Sequence, residues 1–146
     1  MNIHTKYHGE IQVKHEDIID FELGIPGFPE ERQFLLLPLP DNHQFAILQS
    51  VLTPEIGFVV TTPYSFFPNY EFILDDSSKE HLELEGENNI QVFVILTIQE
   101  PFTKSTANLQ APVVLNGTKH KGKQVILNIP HYHTKHALFT SVAEKG

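Results

Sequence analysis

The sequence predicts an all-β (mainly β) fold: a single-domain, barrel-like antiparallel sheet with one or two short helices. Ten prolines and eight glycines divide the 146 residues into short apolar runs. No run has the three-to-four-residue apolar spacing of a long helix, and many short strands separated by turn residues are typical of barrels and sandwiches. A chain of this length suits one domain, which we place at residues 1–139, and the small polar stretch 140–146 is predicted to be a flexible tail.

The predicted strands follow the apolar runs, because each run is short and bounded by turn residues. Residues 3–13 are predicted to contribute a hairpin, which Gly9 interrupts. Further strands are predicted at residues 18–21, 34–37, 45–49, 57–61, 70–74, 90–98, 113–115 and 124–127.

Helix signals occur at two places. Residues 77–84 are the stronger candidate, with Asp76 or Ser77 as the N-cap and Glu80 three residues after Ser77, the spacing of a capping box. Residues 29–32 start with a proline, which is favoured at the first helical position, and are predicted to form a single helical turn.

Residues 90–98 are predicted to form the central strand of the fold. Successive side chains of a strand point to opposite faces, so a strand that is apolar on both faces must be covered on both sides. This run has Val92, Val94, Leu96 and Ile98 on one face and Phe93 and Ile95 on the other.

Composition excludes several classes of function. The chain has no cysteine, which rules out disulfides, thiol catalysis and cysteine-based zinc sites. A formal charge of −8 argues against direct nucleic-acid binding, because affinity for phosphates comes mainly from lysine and arginine. No apolar run approaches the roughly 20 residues that span a bilayer, and the N-terminus lacks the pattern of a secretory signal. We therefore expect a cytoplasmic protein with no membrane contact.

Acidic residues are concentrated between residues 71 and 87, where Lys79 is the only lysine or arginine. The run is either a solvated surface or an acidic face that docks a basic protein, and the sequence leaves both interpretations open. The seven acids are Glu71, Asp75, Asp76, Glu80, Glu83, Glu85 and Glu87.

No arrangement of residues predicts catalysis or a metal site. His131 and His133 would share one face of a strand and chelate a transition metal, but the pair lacks a third ligand and lies beside Lys135. Isolated surface histidines are the alternative. Asp75 and Asp76 are adjacent, so on a strand they would point to opposite faces and not act as an acid–base pair. The sequence therefore predicts no enzyme, no catalytic residue, no cofactor and no metal.

An aromatic stretch is the clearest sign of a binding surface. Five aromatic residues fall within residues 64–72, and Pro68 interrupts regular strand pairing there. Some rings are expected in the core, while the rest would form an exposed apolar patch of the kind that marks protein interfaces. Next to the acids that follow, such a patch suits a basic, amphipathic partner.

Six short segments and one tyrosine carry a resemblance to a known family: FELGIPGF at 21–28, FAILQS at 45–50, YEFIL at 70–74, VILT at 94–97, STANLQAPVV at 105–114, GKQVIL at 122–127, and Tyr132. In this order and in a chain of this length they resemble the flagellar assembly factor FliW family. The resemblance extends over residues 5–139 and leaves the tail without a motif.

This resemblance implies a cytoplasmic, β-barrel-like protein that binds partners and is not an enzyme. Members of the family bind CsrA, a small RNA-binding translational repressor, and prevent it from blocking flagellin messenger RNA. They also bind flagellin itself. Flagellin held in the cytoplasm would occupy the protein, and flagellin export would free the protein to capture CsrA.

The predicted partner contacts lie in the aromatic stretch and in the loop at residues 105–109. Asn108 has an alternative role, since its side chain could satisfy a backbone group of its own loop. Two other functions stay open: a chaperone-like binder that protects flagellin or another secreted subunit, and a small β-barrel hydrolase or isomerase. The predicted contact residues are Tyr64, Phe66, Phe67, Tyr70, Glu71, Phe72, Asp75, Asp76, Ser105, Thr106, Asn108 and Leu109.

Overall fold

The computed structural model describes residues 1–39, 42–84 and 90–139. The predicted tail at residues 140–146 lies outside the described residues. Within the described ranges, no helix has the length and apolar character needed to cross a membrane. The elements are β1 (Asn2–His4), β2 (Glu10–Gln12), β3 (Ile19–Asp20), β4 (Gln33–Leu39), β5 (Asn42–Ser50), β6 (Gly57–Thr61), α1 (Asp76–His81), β7 (Ile90–Thr97), β8 (Thr106–Ala107), β9 (Val113–Asn116), β10 (Lys121–Gln124) and β11 (His136–Ala137), with short 3₁₀ turns at His15–Asp17, Pro63–Ser65 and Phe102–Lys104.

Seven of these strands close into a barrel. The order is β7, β6, β5, β4, β3, β10 and β9, and β9 pairs back with β7 to complete the circle. Every pairing in the circle is antiparallel except that of β10 with β3. β8 pairs with the end of β7, and β11 pairs with β8. The structure confirms the all-β, barrel-like fold.

β7 is the central strand that the sequence predicts, because it is covered on both faces. Phe93 and Ile95 belong to the cluster that fills the barrel, together with Phe21 and Phe34. Val94, which is fully buried, belongs to a second cluster on the outer face. Because side chains alternate along β7, this one strand contributes residues to both hydrophobic clusters.

Two covers bury the outer surface of the barrel. The β1–β2 hairpin packs Ile3 and Val13 against Leu35 of β4, and Gly9 turns the hairpin with a φ of +68°. The chain from residue 62 to 84 and the chain from 125 to 139 together cover the outer face of β6, β7 and β9. The second cover holds most of the predicted contact residues.

The predicted strand at 70–74 is wrong, since these residues pair with no strand in the described part of the chain. They are nevertheless buried in alternation: Phe72 and Leu74 are half-buried against the outer core, while Glu71 and Ile73 are exposed. The sequence pattern therefore predicts the alternation of the side chains correctly, but no strand of the described chain pairs with this segment.

The strand predicted at 124–127 lies three residues earlier in the structure. The residues that pair with β9 are those of β10, at 121–124. Gly122 explains the shift, since its Cα lies over the ring of Phe21, where a Cβ would come within 2.5 Å of Cζ. Val125 and Leu127 instead donate single backbone hydrogen bonds to Pro112 and to residue 110, and bury their side chains in the outer core.

The helix predictions need three corrections. α1 spans six residues and ends at His81, before the predicted end at 84, and Glu83 takes a positive φ of 54°. Its N-cap is Asp75, not Asp76 or Ser77, and the Asp75 carboxylate accepts from the Ser78 hydroxyl. Residues 29–32 form a turn and an extended segment in place of a helical turn, because the chain here leads the Glu31 side chain to the hydroxyls of Ser50 and Thr53.

Candidate partner-binding surface

Tyr70 anchors the aromatic stretch to the barrel. The 3₁₀ turn at Pro63–Ser65 and a hydrogen bond from the Tyr70 amide to Phe67 bring the side chain inward, where it is 3% exposed. Its hydroxyl donates to the carbonyl oxygen of Leu109 at 2.7 Å, and its ring packs edge-on against Tyr132 at 4.8 Å. Burial, with Tyr132 and Tyr64 nearby, raises the pKa of Tyr70 well above its ordinary value of 10. Tyr70 therefore holds the two covering segments together.

The 71–75 segment is an extended strip on the surface. The Glu71 amide donates to the hydroxyl of Tyr132 at 3.0 Å, which fixes the start of the strip. Ile73 is 89% exposed, the largest exposed fraction among the exposed large hydrophobic residues of the described chain. An isoleucine presented in this way between two carboxylates is an apolar anchor with an acidic border.

Grooves run along both sides of this strip. One, of about 550 Å³, is lined by Tyr64, Phe72, Leu74, Leu84 and Ile90 among others. The other, of about 580 Å³, lies between Ile73 and the chain at 123–129.

A chain of polar contacts fixes the end of the strip. The Lys123 ammonium donates to the Ser78 hydroxyl at 3.0 Å, and that hydroxyl donates to the Asp75 carboxylate at 2.5 Å. The hydrogen bond from Ser78, with help from Lys123, holds the pKa of Asp75 below its ordinary value, so this carboxylate is ionised at neutral pH. Ser78 is buried and its proton is committed to a carboxylate, so the arrangement anchors α1 to β10 and is not an activated nucleophile.

The surface around Asp75 is mainly acidic. Glu71, Asp75, Asp76 and Glu80 are all exposed, Lys79 is exposed among them, and the Lys123 ammonium is held by Ser78. Lys121, farther along β10, is paired with Asp20 and Glu83. The strip therefore presents apolar side chains within a negative border.

The loop at 105–109 is largely turned inward. Ser105 is fully buried, and its hydroxyl accepts from the Gln99 amide at 2.9 Å; Leu109 is 2% exposed. Asn108 is half-buried, and its Oδ1 accepts from the amides of residues 110 and 111, both at 3.1 Å. Asn108 thus fills the alternative role that the sequence left open, within its own loop. A partner contact at this loop stays a prediction.

The structure brings some predicted contacts together and separates others. Phe66, Phe67, Tyr70 and Leu109 line a third groove, of about 370 Å³, together with His131, Tyr132 and His136. Tyr64 and Phe72 line the groove on the other side of the strip. Tyr70, Ser105 and Leu109 are buried and offer almost no side-chain surface, and Thr106 is half-buried in β8.

Sequence reasoning missed two exposed apolar residues beside these grooves: Ile73, which is 89% exposed, and Ile126, which is 56% exposed. The signal was present in the alternation of residues 70–74, because an extended chain that buries Phe72 and Leu74 must expose Ile73. The same alternation applies to Ile126, which lies between the buried Val125 and Leu127 in the run at 124–127, for which the sequence predicts a strand and no partner contact.

The three C-terminal histidines interact with one another. The His133 amide donates to Nε2 of His136 at 2.8 Å, and their rings stack at 5.3 Å. Burial lowers the pKa of His136 below its ordinary value of 6.5, and His133 and His131 lower it further. His131 and His133 lie outside any strand, so they do not have the strand face on which the pair could have chelated a metal. Among the described residues, no group of three or more His, Cys, Asp or Glu side chains is placed to hold a metal ion.

Comparison with known proteins identifies the family. Residues 2–138 match the family model described as FliW protein. The flagellar assembly factor FliW of Geobacillus kaustophilus is 54% identical over 145 residues, which cover 99% of this chain and 100% of that protein. The protein of the same name from Bacillus subtilis is 50% identical over 138 residues, which cover 94% of this chain and 96% of that protein. A crystal structure of the flagellar assembly factor FliW, 53% identical in sequence, superposes with a TM-score of 0.92 and covers 97% of this chain and 99% of its own. From the sequence match and the shared barrel, this chain belongs to the FliW family.

Proposed function

We propose that this protein is a non-enzymatic, cytoplasmic flagellar assembly factor that binds and antagonises the translational repressor CsrA and also binds flagellin. The observation that carries the proposal is the match to FliW proteins over nearly the whole chain. The two complexes are mutually exclusive, so flagellin in the cytoplasm keeps the protein from CsrA and flagellin export releases it. Flagellin translation is thereby coupled to flagellum assembly.

The charge of the chain supports an encounter with a basic repressor. A protein that binds RNA presents lysine and arginine, and a partner with a formal charge of −8 attracts such a surface over a distance. Once docked near the RNA site, the same negative field opposes the approach of phosphates. Glu71 and Asp75 on the strip, with Asp76 at the start of α1, place part of this charge beside the apolar anchor Ile73.

Surface plasmon resonance with purified CsrA and purified flagellin tests the proposal. We expect both to bind, and we expect the association rate of CsrA to fall as ionic strength rises, because salt screens long-range attraction. The pair Glu71→Gln with Asp76→Asn should slow CsrA association more than a matched control, Glu10→Gln with Glu16→Gln, which changes the net charge equally on a different surface. Absence of binding to either protein would contradict the proposal, and equal effects of the two pairs would remove the strip from it.

A chaperone-like role is the second candidate function, favoured by the exposed apolar strip. A surface with Ile73 at 89% exposure and open grooves on both sides suits an aggregation-prone secreted subunit such as flagellin. Light scattering of flagellin with and without this protein distinguishes the two. Suppressed aggregation without any effect on RNA binding by CsrA would favour the chaperone.

A further inference from the structure

The 71–75 segment has the geometry of a strand without a partner. Within the described residues, neither the N–H nor the C=O of Phe72, Ile73 or Leu74 makes a hydrogen bond. The segment alternates like a strand, with Phe72 and Leu74 packed inward. Unpaired backbone groups on an extended, partly apolar segment form a template for another chain.

The opposite wall of the groove presents a second free edge. Val125 and Leu127 donate their amides to Pro112 and Gln110, so the backbone groups of Ile126 and Asn128 point the other way. Those groups also make no hydrogen bond to a described residue. Ile73 and Ile126 line this groove, which has a volume of about 580 Å³.

We propose that a partner's extended segment docks in this groove by strand addition along residues 71–75, with its backbone bonded to the N–H and C=O of Ile73. The Glu71 amide donates to Tyr132 on the 125–139 side, so the backbone groups of Ile73 point to that side and those of Phe72 and Leu74 point away from it. This inference rests on the proposed function and specifies how CsrA, the basic partner, binds. Main-chain hydrogen bonds supply affinity in such docking, and alternate side chains supply specificity.

The side chains of the strip define the chemistry of the occupant. The outward face of the strip consists of Glu71, Ile73 and Asp75. The partner's strand therefore carries an apolar residue opposite Ile73 and basic residues two positions before and after it. Asp75 is ionised at neutral pH because of its hydrogen bond from Ser78. The complementary pattern is therefore basic, any, apolar, any, basic.

A second copy of this chain does not fit the edge. Antiparallel pairing of two strips centred on Ile73 would place Glu71 of each opposite Asp75 of the other. Like charges directly opposite one another destabilise a ladder. Acids beside an exposed apolar edge residue thus prevent self-association while leaving a basic strand free to bind.

Hydrogen–deuterium exchange of the full chain tests the proposal, with purified CsrA and purified flagellin as the two probes. We expect the amides of Phe72–Leu74, and those of Ile126 and Asn128, to exchange rapidly in the free protein. With CsrA bound, exchange at Ile73 should slow by about tenfold or more. Fast exchange there in the CsrA complex, or protection already present in the free protein, would overturn strand addition.

Two variants separate backbone pairing from side-chain packing. Ile73→Pro removes the amide donor, whereas Ile73→Val keeps the donor and most of the apolar surface. We expect Ile73→Pro to weaken binding of CsrA about tenfold and Ile73→Val to change it less than twofold. Equal affinities of the two variants, with a loss only in Ile73→Asp, would indicate side-chain docking of a helix and overturn the proposal.

The outcomes keep this inference distinct from the proposed function. Binding of CsrA without protection at Ile73 overturns strand addition alone. Failure of both probes to bind the wild-type chain overturns the proposed function and strand addition together. If Ile73→Pro does not fold, as judged by circular dichroism, the exchange measurement on the wild-type complexes decides.

Discussion

Gly122 is the position where one methyl group should reveal how tightly the barrel is filled. A Cβ on Gly122 would lie 2.5 Å and 2.6 Å from Cζ and Cε1 of Phe21, and 2.9 Å from Cδ2 of Leu115. Phe21 cannot withdraw easily, because it is fully buried and packs edge-on against Phe34 at 5.1 Å. Overpacking of this kind costs about 1–3 kcal/mol, and the lower backbone entropy of alanine offsets about 0.5–1 kcal/mol.

We therefore expect Gly122→Ala to reduce the free energy of unfolding by about 1–2 kcal/mol and the melting temperature by roughly 2–8 °C. Urea unfolding followed by far-ultraviolet circular dichroism measures the change. Tyrosine fluorescence gives a second probe, since the chain has four tyrosines and no tryptophan. Agreement of the two probes would establish that the transition is two-state.

A double-mutant cycle identifies the cause. Phe21→Leu makes room for the new methyl group, so in the double variant the two penalties should fall short of additivity by at least about 0.5 kcal/mol. Gly9→Ala is the matched control, because no atom lies within 4 Å of its Cβ position and it meets only the strain of a positive φ of 68°. Its penalty should add to that of Phe21→Leu. A wild-type stability for Gly122→Ala, or full additivity with Phe21→Leu, would refute the reasoning.

Three further predictions follow from buried groups. Val94→Asp should abolish the cooperative melting transition, because Val94 is fully buried in the outer core and an unpaired charge there is costly; a soluble variant with a sharp melt contradicts this. Tyr70→Phe should lose about 1 kcal/mol of stability in urea unfolding, since the hydroxyl bonds the Leu109 carbonyl, while Tyr64→Phe, at an exposed ring, should lose almost none. For His136, whose pKa is lowered in the folded state, the unfolded chain takes up the proton more readily, so its contribution to stability is complete above about pH 6.5 and is lost as the pH falls below it. His136→Gln should flatten the curve of stability against pH in this range, and an unchanged slope from pH 7 to 5 would count against the assignment.

The barrel could be predicted because it depends on local signals. The apolar runs around β4, β5, β6 and β7 are bounded by turn residues, and each of these strands overlaps its predicted range. Residues 90–98 are apolar on both faces, and this pattern correctly predicted a central strand. In the structure Val94 is fully buried and Phe93 is 9% exposed. Such patterns can be interpreted locally, because they depend only on the order of apolar and polar residues within the segment.

What could not be predicted depends on distant partners. Residues 70–74 have the alternation of a strand, but whether a neighbouring strand exists is decided elsewhere in the fold. β10 follows the position of Gly122 over Phe21, a contact across about 100 residues of sequence that no local pattern contains. The cap of α1 was likewise settled by the tertiary contact of Ser78 with Lys123.

The candidate site was predictable in outline and not in detail. The aromatic stretch does lie on the surface cover and does adjoin exposed acids, as its composition indicates. Burial of Tyr70, Ser105 and Leu109 could not be foreseen, because each side chain points inward to satisfy a group from another segment or to fill the outer core. Ile73, the most exposed apolar side chain of the strip, lies in a run that was predicted as a strand but was not among the predicted contacts.

The proposed switch requires one protein to alternate between CsrA and flagellin. A competition titration measures this: labelled CsrA is bound to this protein, flagellin is added stepwise, and complex size is followed by analytical ultracentrifugation. We predict that stoichiometric flagellin releases CsrA and that no complex contains all three proteins. A stable ternary complex, or CsrA that remains bound at saturating flagellin, would contradict the account.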